Sequence, residues 1–386
     1  MGSESRYMNE LFRIVNGALR LDVDKVRNYT AFLADKLEKE GDQNLAIRLR
    51  ELLKESDHQL RPTEVSYHKT IPVDSESRFP LLEHVNLKTL RDPPLLLAQN
   101  QWDVINEFLS VAKSYAHIEA HDVVGSLSFL MYGPPGTGKS RLARHIAVEL
   151  GLDLYVARLD GIISSYLGST AKNIRALFDF AAKTPCVLFL DEFDAIAKLR
   201  GDSQELGELK RVVNSFLQNL DTLGKQSIVI AATNHQTLLD NAVWRRFSYR
   251  VELRLPEPEI RKKMWSAFLV PLHFEDRDIE LLSDLSEGFS GSDIYEATLR
   301  LRRRNITAKE KPGLKDAFEI IQNLSIGNDE ETRFVSKLTK FGIEKSIQLL
   351  RERNPKIYSL AALADLFGLS KTSIHRFTTK EGEKNG

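Results

Sequence analysis

Gly133-Pro134-Pro135-Gly136-Thr137-Gly138-Lys139-Ser140 follows the apolar run Ser128-Phe-Leu-Met-Tyr132 and precedes a stretch that places Leu142, Ile146 and Leu150 on one helical face. An octapeptide of the form GxxxxGK[ST] between a strand and a helix specifies a phosphate-binding loop. Its glycines let successive backbone N–H groups wrap an anion without Cβ clashes, and the positive end of the following helix points the same way. Lys139 is expected to place a point charge on the β- and γ-phosphates and the Ser140 hydroxyl to ligate Mg²⁺, so the expected ligands are ATP and Mg²⁺.

Downstream, Cys186-Val-Leu-Phe-Leu190 runs into Asp191-Glu192, the pattern of a buried strand that delivers two acids to its carboxyl end beside the phosphate loop. The two need different roles. Asp191 is expected to hold Mg²⁺, directly or through water, while Glu192 orients and polarises the attacking water for in-line transfer. Asp194 reads as structural.

Working outward, apolar strand-like runs (SFLMY, DLYVA, CVLFL, SIVIAA, YRVEL) alternate with helical patterns from about Gln99 to Leu255, which specifies a parallel sheet covered on both faces. Residues 8–56 carry three amphipathic helical patterns separated by short polar breaks, a small three-helix unit. Prolines then punctuate a segment without periodicity, read as a connector partly extended over the next domain. Beyond Pro256 and Pro258 the chain is helical and charged, as a lid would be, and two short helical stretches flank Gly368 before the polar tail. The resulting division is 1–60 N-terminal helical bundle, 61–95 connector, 96–255 large α/β ATPase domain, 256–343 helical lid, 344–378 trihelix and 379–386 tail.

Composition narrows the function classes. Lysine plus arginine (54) balance aspartate plus glutamate (54), so no global field steers the chain toward nucleic acid or an anionic membrane. The single cysteine, Cys186, excludes an internal disulfide and fits a reducing cytosol. No signal-like start and no run of about 18 apolar residues occurs, so a cytoplasmic protein with no membrane partner is expected. The nine histidines lack a second His or Cys at ligand spacing, which argues against a transition-metal site.

Two further segments make a family resemblance specific. Ile228-Val-Ile-Ala-Ala-Thr233-Asn234 resembles the strand that ends in the first sensor of AAA ATPases, and Leu239-Asp240-Asn241-Ala242-Val243-Trp244-Arg245-Arg246-Phe247 resembles their second region of homology. The resemblance covers about residues 85–305 and implies a P-loop NTPase sheet of order 5-1-4-3-2 and homo-hexameric rings with nucleotide at each subunit interface. It also implies that Asn234 helps place the attacking water. Arg245 and Arg246 match the arginine fingers that reach the neighbouring subunit's γ-phosphate, a contribution worth about 10³ to 10⁵ in turnover. Gly288-Phe-Ser-Gly-Ser-Asp293 is similar to the family's lid motif, where a glycine turn brings a helix start toward the nucleotide base. Ser164-Ser-Tyr166-Leu167-Gly-Ser-Thr170 lies where AAA unfoldases carry their first pore loop, so Tyr166 and Leu167 are the implied grip on a protein substrate. Many relatives have lysine at the position of Ser165, a departure that weakens any hold on acidic tails. The phrases SSYLGSTAKNIRALFDFAA and LFLDEFDAIAK are similar to a bacterial AAA group often encoded beside a subtilisin-like protease and implicated in phage defence, which implies a partner protease.

The two ends point to partners. The N-terminal helices resemble, in layout alone, the adaptor domains of katanin, spastin and related disassembly ATPases, which would choose substrates. At the other end Leu363, Ala364, Phe367, Gly368, Leu369, Ile374 and Phe377 stand where a helix-turn-helix needs its apolar, small and turn residues, with Ser370 as N-cap. Lys371, Thr372, His375 and Arg376 would then be exposed on its second helix. The leading expectation is ATP hydrolysis coupled to protein remodelling. The rival is a nucleic-acid-associated ATPase that uses the C-terminal helix-turn-helix on DNA.

Overall fold

The computed structural model describes residues 11–15, 23–39, 42–57, 71–74, 77–87, 92–115, 127–159, 167–195, 213, 215–220, 223, 227–307, 311–325 and 333–379. The chain divides into two compact units, one of residues 1–63 with 109–125 and one of 64–108 with 126–386. In the first, α1 (Val23–Lys39) and α2 (Gln43–Asp57) fold back on each other across a break of three residues. Leu33, Leu37 and Ala46 are buried between them, with Ile14 and Leu49 packed alongside. Arg50 joins the helices on the outside, reaching Asp35 at 2.7 Å and Glu38 at 2.6 Å.

The second unit is built on a six-stranded sheet. Its strands are β1 (Glu83–Val85), β2 (Ser128–Tyr132), β3 (Asp153–Arg158), β4 (Cys186–Asp191), β5 (Ile228–Thr233) and β6 (Tyr249–Glu252), in the order β1-β3-β4-β5-β2-β6. From β2 to β6 all pairings are parallel, and counted by themselves these five strands have the order 5-1-4-3-2. The sixth comes from the connector: β1 pairs antiparallel with β3, Glu83 opposite Val156. Three residues, Glu-His-Val, are too few to show an alternation that would announce a strand.

β4 and β5 are central and buried on both faces, which explains their unbroken apolar runs. α3 (Gln99–Lys113), α4 (Lys139–Leu150), α5 (Leu167–Lys183) and the short α6 (Asn241–Trp244) accompany the sheet. The core on one face is aromatic, with Phe178, Phe193, Phe216 and Phe247 in successive edge or tilted contacts.

Beyond the sheet come α7 (Pro258–Leu269), α8 (Asp276–Leu285), α9 (Gly291–Thr307), α10 (Leu314–Ser325), α11 (Phe334–Leu338), α12 (Ile343–Arg353), α13 (Leu360–Phe367) and α14 (Lys371–Thr379). These helices share one apolar core, in which Trp265, Phe268, Leu282 and Phe289 join Ile347, Tyr358, Leu363 and Ile374. The lid and the terminal trihelix are therefore packed as one body. No helix among the described residues is long and apolar enough to cross a membrane.

Candidate functional site

The octapeptide forms the turn between β2 and α4, and three of its glycines carry positive φ: Gly133 at 136°, Gly136 at 76° and Gly138 at 103°. At two of them a side chain has no room. A Cβ on Gly133 would stand 2.2 Å from the Leu253 carbonyl oxygen, and one on Gly136 would stand 2.4 Å from Ser290 Oγ. The Thr137 hydroxyl donates to the Pro134 carbonyl at 2.8 Å, closing the loop on itself.

Lys139 opens α4 and is buried, with 7% of its surface exposed. Its ammonium donates to the carbonyls of Gly133 at 2.7 Å and Pro134 at 2.8 Å. Burial pulls its pKa down to about 8 against the opposing pull of Asp191 and Asp194. A desolvated cation whose bonds go to backbone carbonyls is suited to an anionic ligand.

β4 brings the two acids to the same edge. Ser140 Oγ donates to Asp191 Oδ2 at 3.4 Å, and Asp191 Oδ1 accepts the Glu192 backbone N–H at 3.0 Å. Glu192 is exposed and sits at φ 53°, a left-handed conformation that costs a non-glycine residue about 1–2 kcal/mol. Such strain clusters at functional sites. The turn after β4 is held by the Phe193 N–H donating to the Ala232 carbonyl at 2.8 Å and by Thr233 Oγ1 donating to the buried Asp194 at 3.2 Å. Asn234, exposed, follows directly at the end of β5, the strand beside β4.

Arg245 and Arg246 lie elsewhere. They follow α6, which is capped by Asp240 accepting the Val243 N–H at 2.8 Å, and both side chains are exposed. The Arg246 carbonyl accepts the Ser128 hydroxyl at 2.9 Å, so this turn sits beside the first residue of β2, whereas the phosphate loop follows its last. A five-residue strand separates those ends by about 13 Å. Tyr166 lies outside the described residues; Leu167 begins α5, and its side chain is not described.

Several contacts have no signature in the sequence. The Ser292 N–H, at the start of α9, donates to the Gly136 carbonyl at 3.1 Å, so the lid touches the phosphate loop directly. Asp293 accepts from the Ser290 backbone and hydroxyl, both at 2.9 Å, and from the buried Arg333 at 2.7 Å. Arg333 also stacks on Phe289, 4.4 Å from the ring centroid. Arg141 on α4 donates to the carbonyls of Pro93 and Pro94, tying the connector to the loop's helix. Beside Thr137 opens a cavity of ≈170 Å³ whose wall combines Leu96, Ala98, Ile260, Met264 and Gly291 with the charged Glu252, Arg254 and Glu257.

Comparison with known proteins agrees with this geometry. Residues 129–255 match the model of the ATPase family associated with various cellular activities (AAA). The chain is 39% identical over 228 residues to an uncharacterized AAA family ATPase of Sinorhizobium fredii, covering 58% of this chain and 68% of that one. It is 39% identical over 171 residues to vacuolar protein sorting-associated protein 4 of Dictyostelium discoideum (43% of this chain, 38% of the relative). With the ATP-dependent zinc metalloprotease FtsH 3 of Sphaerobacter thermophilus it shares 38% identity over 205 residues (49% of this chain, 41% of the relative). The chain thus spans less than half the length of these last two. Sheet order, phosphate loop, acidic strand end and sequence likeness converge on one conclusion: the chain belongs to the AAA family of ATPases, whose members hydrolyse ATP.

Proposed function

We propose that this chain binds Mg²⁺·ATP on the loop 133–140, hydrolyses it in a homo-hexameric ring, and uses the cycle to remodel a protein substrate. The observation that supports this most directly is the convergence of Lys139, Ser140, Asp191, Glu192 and Asn234 at one edge of the sheet.

In this reading the N–H groups of Gly133, Gly136, Thr137, Gly138 and Lys139 and the Lys139 ammonium hold the phosphates, while Pro134 and Pro135 shape the turn. Lys139 exchanges its bonds to two carbonyls for bonds to phosphate oxygens, which restores charge compensation to a buried cation. Ser140 and Asp191 would hold Mg²⁺, which would neutralise negative charge developing on the phosphate. Glu192 accepts a hydrogen bond from water and aligns it with the γ-phosphorus, and the Asn234 amide, able to donate and accept at once, fixes the water's other side. The cavity beside Thr137 receives the base.

Arg245 and Arg246 act on the neighbouring subunit. Their turn lies at the opposite end of β2 from their own phosphate loop, farther than an arginine side chain extends, which supports action in trans. Tyr166 and Leu167 grip the substrate through flat apolar contact. The relatives named for vacuolar sorting and for zinc-dependent proteolysis support work on proteins. This sequence carries no protease motif, so any peptide-bond cleavage would come from a partner protease.

Trans-complementation tests the reading. Lys139→Ala chains keep their fingers and lose their phosphate site; Arg245→Ala/Arg246→Ala chains do the reverse. Each alone should be inactive, and a mixture should recover ATP turnover. A mixture that assembles yet stays inactive refutes action in trans. Tyr166→Ala should retain turnover and lose unfolding of a tagged reporter protein; retained unfolding removes the pore-loop role.

A further inference from the structure

The C-terminal helices carry a surface that ATP hydrolysis does not use. α13 spans eight residues and α14 nine, joined by the three-residue turn Gly368-Leu369-Ser370. Gly368 adopts the left-handed conformation at φ 65°, and the Leu369 N–H returns to the Ala364 carbonyl at 3.0 Å. Ser370 caps the second helix by accepting the Ser373 N–H at 3.1 Å. Leu363 and Ile374 are fully buried, and Phe367, Leu369 and Phe377 pack against the same core, so one face of α14 is fixed against α12 and α13. This is a helix-turn-helix in length, turn chemistry and packing.

The opposite face is exposed. Lys371, Thr372, His375, Arg376 and Thr379 fall at helical spacings that put them on one side of α14, away from Ile374, with the Arg376 guanidinium 5.5 Å from the Phe377 ring centroid. The helix contains no carboxylate. Of the acids on the two helices packed against it, Asp365 on α13 pairs with Arg277 at 3.2 Å, while Glu344 and Glu352 lie on α12. Exposed Lys315 adds a cation at the turn, where its side chain passes within 3.1 Å of a Cβ placed on Gly368. A chain with no net charge thus keeps a local cationic stripe flanked by hydroxyl and imidazole groups.

We propose that this face of α14 docks into the major groove of duplex DNA. A single exposed helix fits that groove, lysine and arginine supply phosphate and guanine contacts, and threonine and histidine supply neutral base-edge partners. The stripe is short, so each subunit binds weakly, and a ring would gain affinity by engaging several copies. The docking face itself needs no nucleotide, while the gain from several copies rests on the ring proposed above.

The test is fluorescence anisotropy of the full chain with a random-sequence DNA duplex of about 30 base pairs, between roughly 50 and roughly 200 mM salt. Binding should weaken steeply as salt rises. Lys371→Ala/Arg376→Ala should weaken it about tenfold or more and lower the log–log salt slope by about two per engaged subunit. Thr372→Glu, which puts a carboxylate on the same face, should act in the same direction. ATP turnover and melting temperature should match wild type in both variants. An A-form RNA duplex, whose major groove is too narrow for a helix, should compete poorly. The proposal is overturned if wild type shows no salt-sensitive binding, if both variants bind as tightly as wild type, or if the RNA duplex competes equally.

Discussion

The phosphate loop and the lid both bury charged groups, and they treat them in opposite ways. Beyond the sheet, Arg333 and Tyr358 are each paired with a carboxylate of the folded chain. Arg333 is held by Asp293 and the Leu324 carbonyl, Arg261 donates to the carbonyls of Ser283 and Pro256, and the Tyr358 hydroxyl donates to Asp284 at 2.6 Å. At the phosphate loop Lys139 is desolvated but bonded to carbonyls, three glycines and Glu192 hold left-handed backbone, and two acids face the same edge. The lid stores its interactions in the folded state, whereas the loop holds its interactions in reserve for a ligand. A protein selected for stability alone would have no reason to keep the second arrangement.

Lys139→Met should separate the two most sharply. ATP affinity should fall about 100-fold or more, about 3 kcal/mol for a lost charged hydrogen-bond donor, while the ligand-free chain melts no lower than wild type because the desolvation cost of a buried cation is gone. A large drop in melting temperature would mean that Lys139 is structural after all. Asp293→Asn, in the lid, should behave in reverse. Breaking the Arg333 pair leaves a buried guanidinium uncompensated and should cost about 3 kcal/mol in chemical denaturation, with a smaller effect on the intrinsic ATP site. Unchanged stability would erase the distinction.

Gly136→Ala tests the seam between the regions, since the new Cβ would meet Ser290 Oγ in a backbone conformation that disfavours alanine. A loss of about 1–2 kcal/mol is expected. ATP binding, followed by calorimetry, should weaken alongside it.

The smallest effect concerns pH. With its pKa lowered to about 8, Lys139 releases its proton in the ligand-free chain before an ordinary lysine would, and a bound polyphosphate restores it. Above that pH, binding must take up a proton, so ATP affinity should fall by at most about tenfold per pH unit. Below it both states are protonated and this dependence disappears. Calorimetry at about pH 8.5 in buffers of different ionisation enthalpy should detect the uptake, and Lys139→Arg should abolish it.

How much of this was legible in the sequence depended on whether a contact is local. The loop 133–140, the acids at the end of β4 and the capped turn before Arg245 are each written in a few consecutive residues, so pattern and family resemblance both find them. The parallel strands are legible because burial on both faces makes them continuously apolar. β1 escaped because three residues show no period. The link from Ser292 to Gly136 spans 156 residues and uses only backbone atoms, so no residue type marks it. Arg333 is one more arginine in a charged stretch until Asp293 and Phe289 are seen beside it. The single apolar core that joins lid and trihelix was likewise invisible to a reading that divides the chain at polar turns.

The central claim is that Glu192, poised at the strand end beside Asp191, directs water onto a phosphate bound at Lys139. ATP binding and steady-state turnover measured side by side on wild type and Glu192→Gln test it most directly. Affinity should stay within about threefold, while turnover falls by about 10² to 10⁴. Turnover that persists at the wild-type rate in a chain that still binds ATP would contradict it.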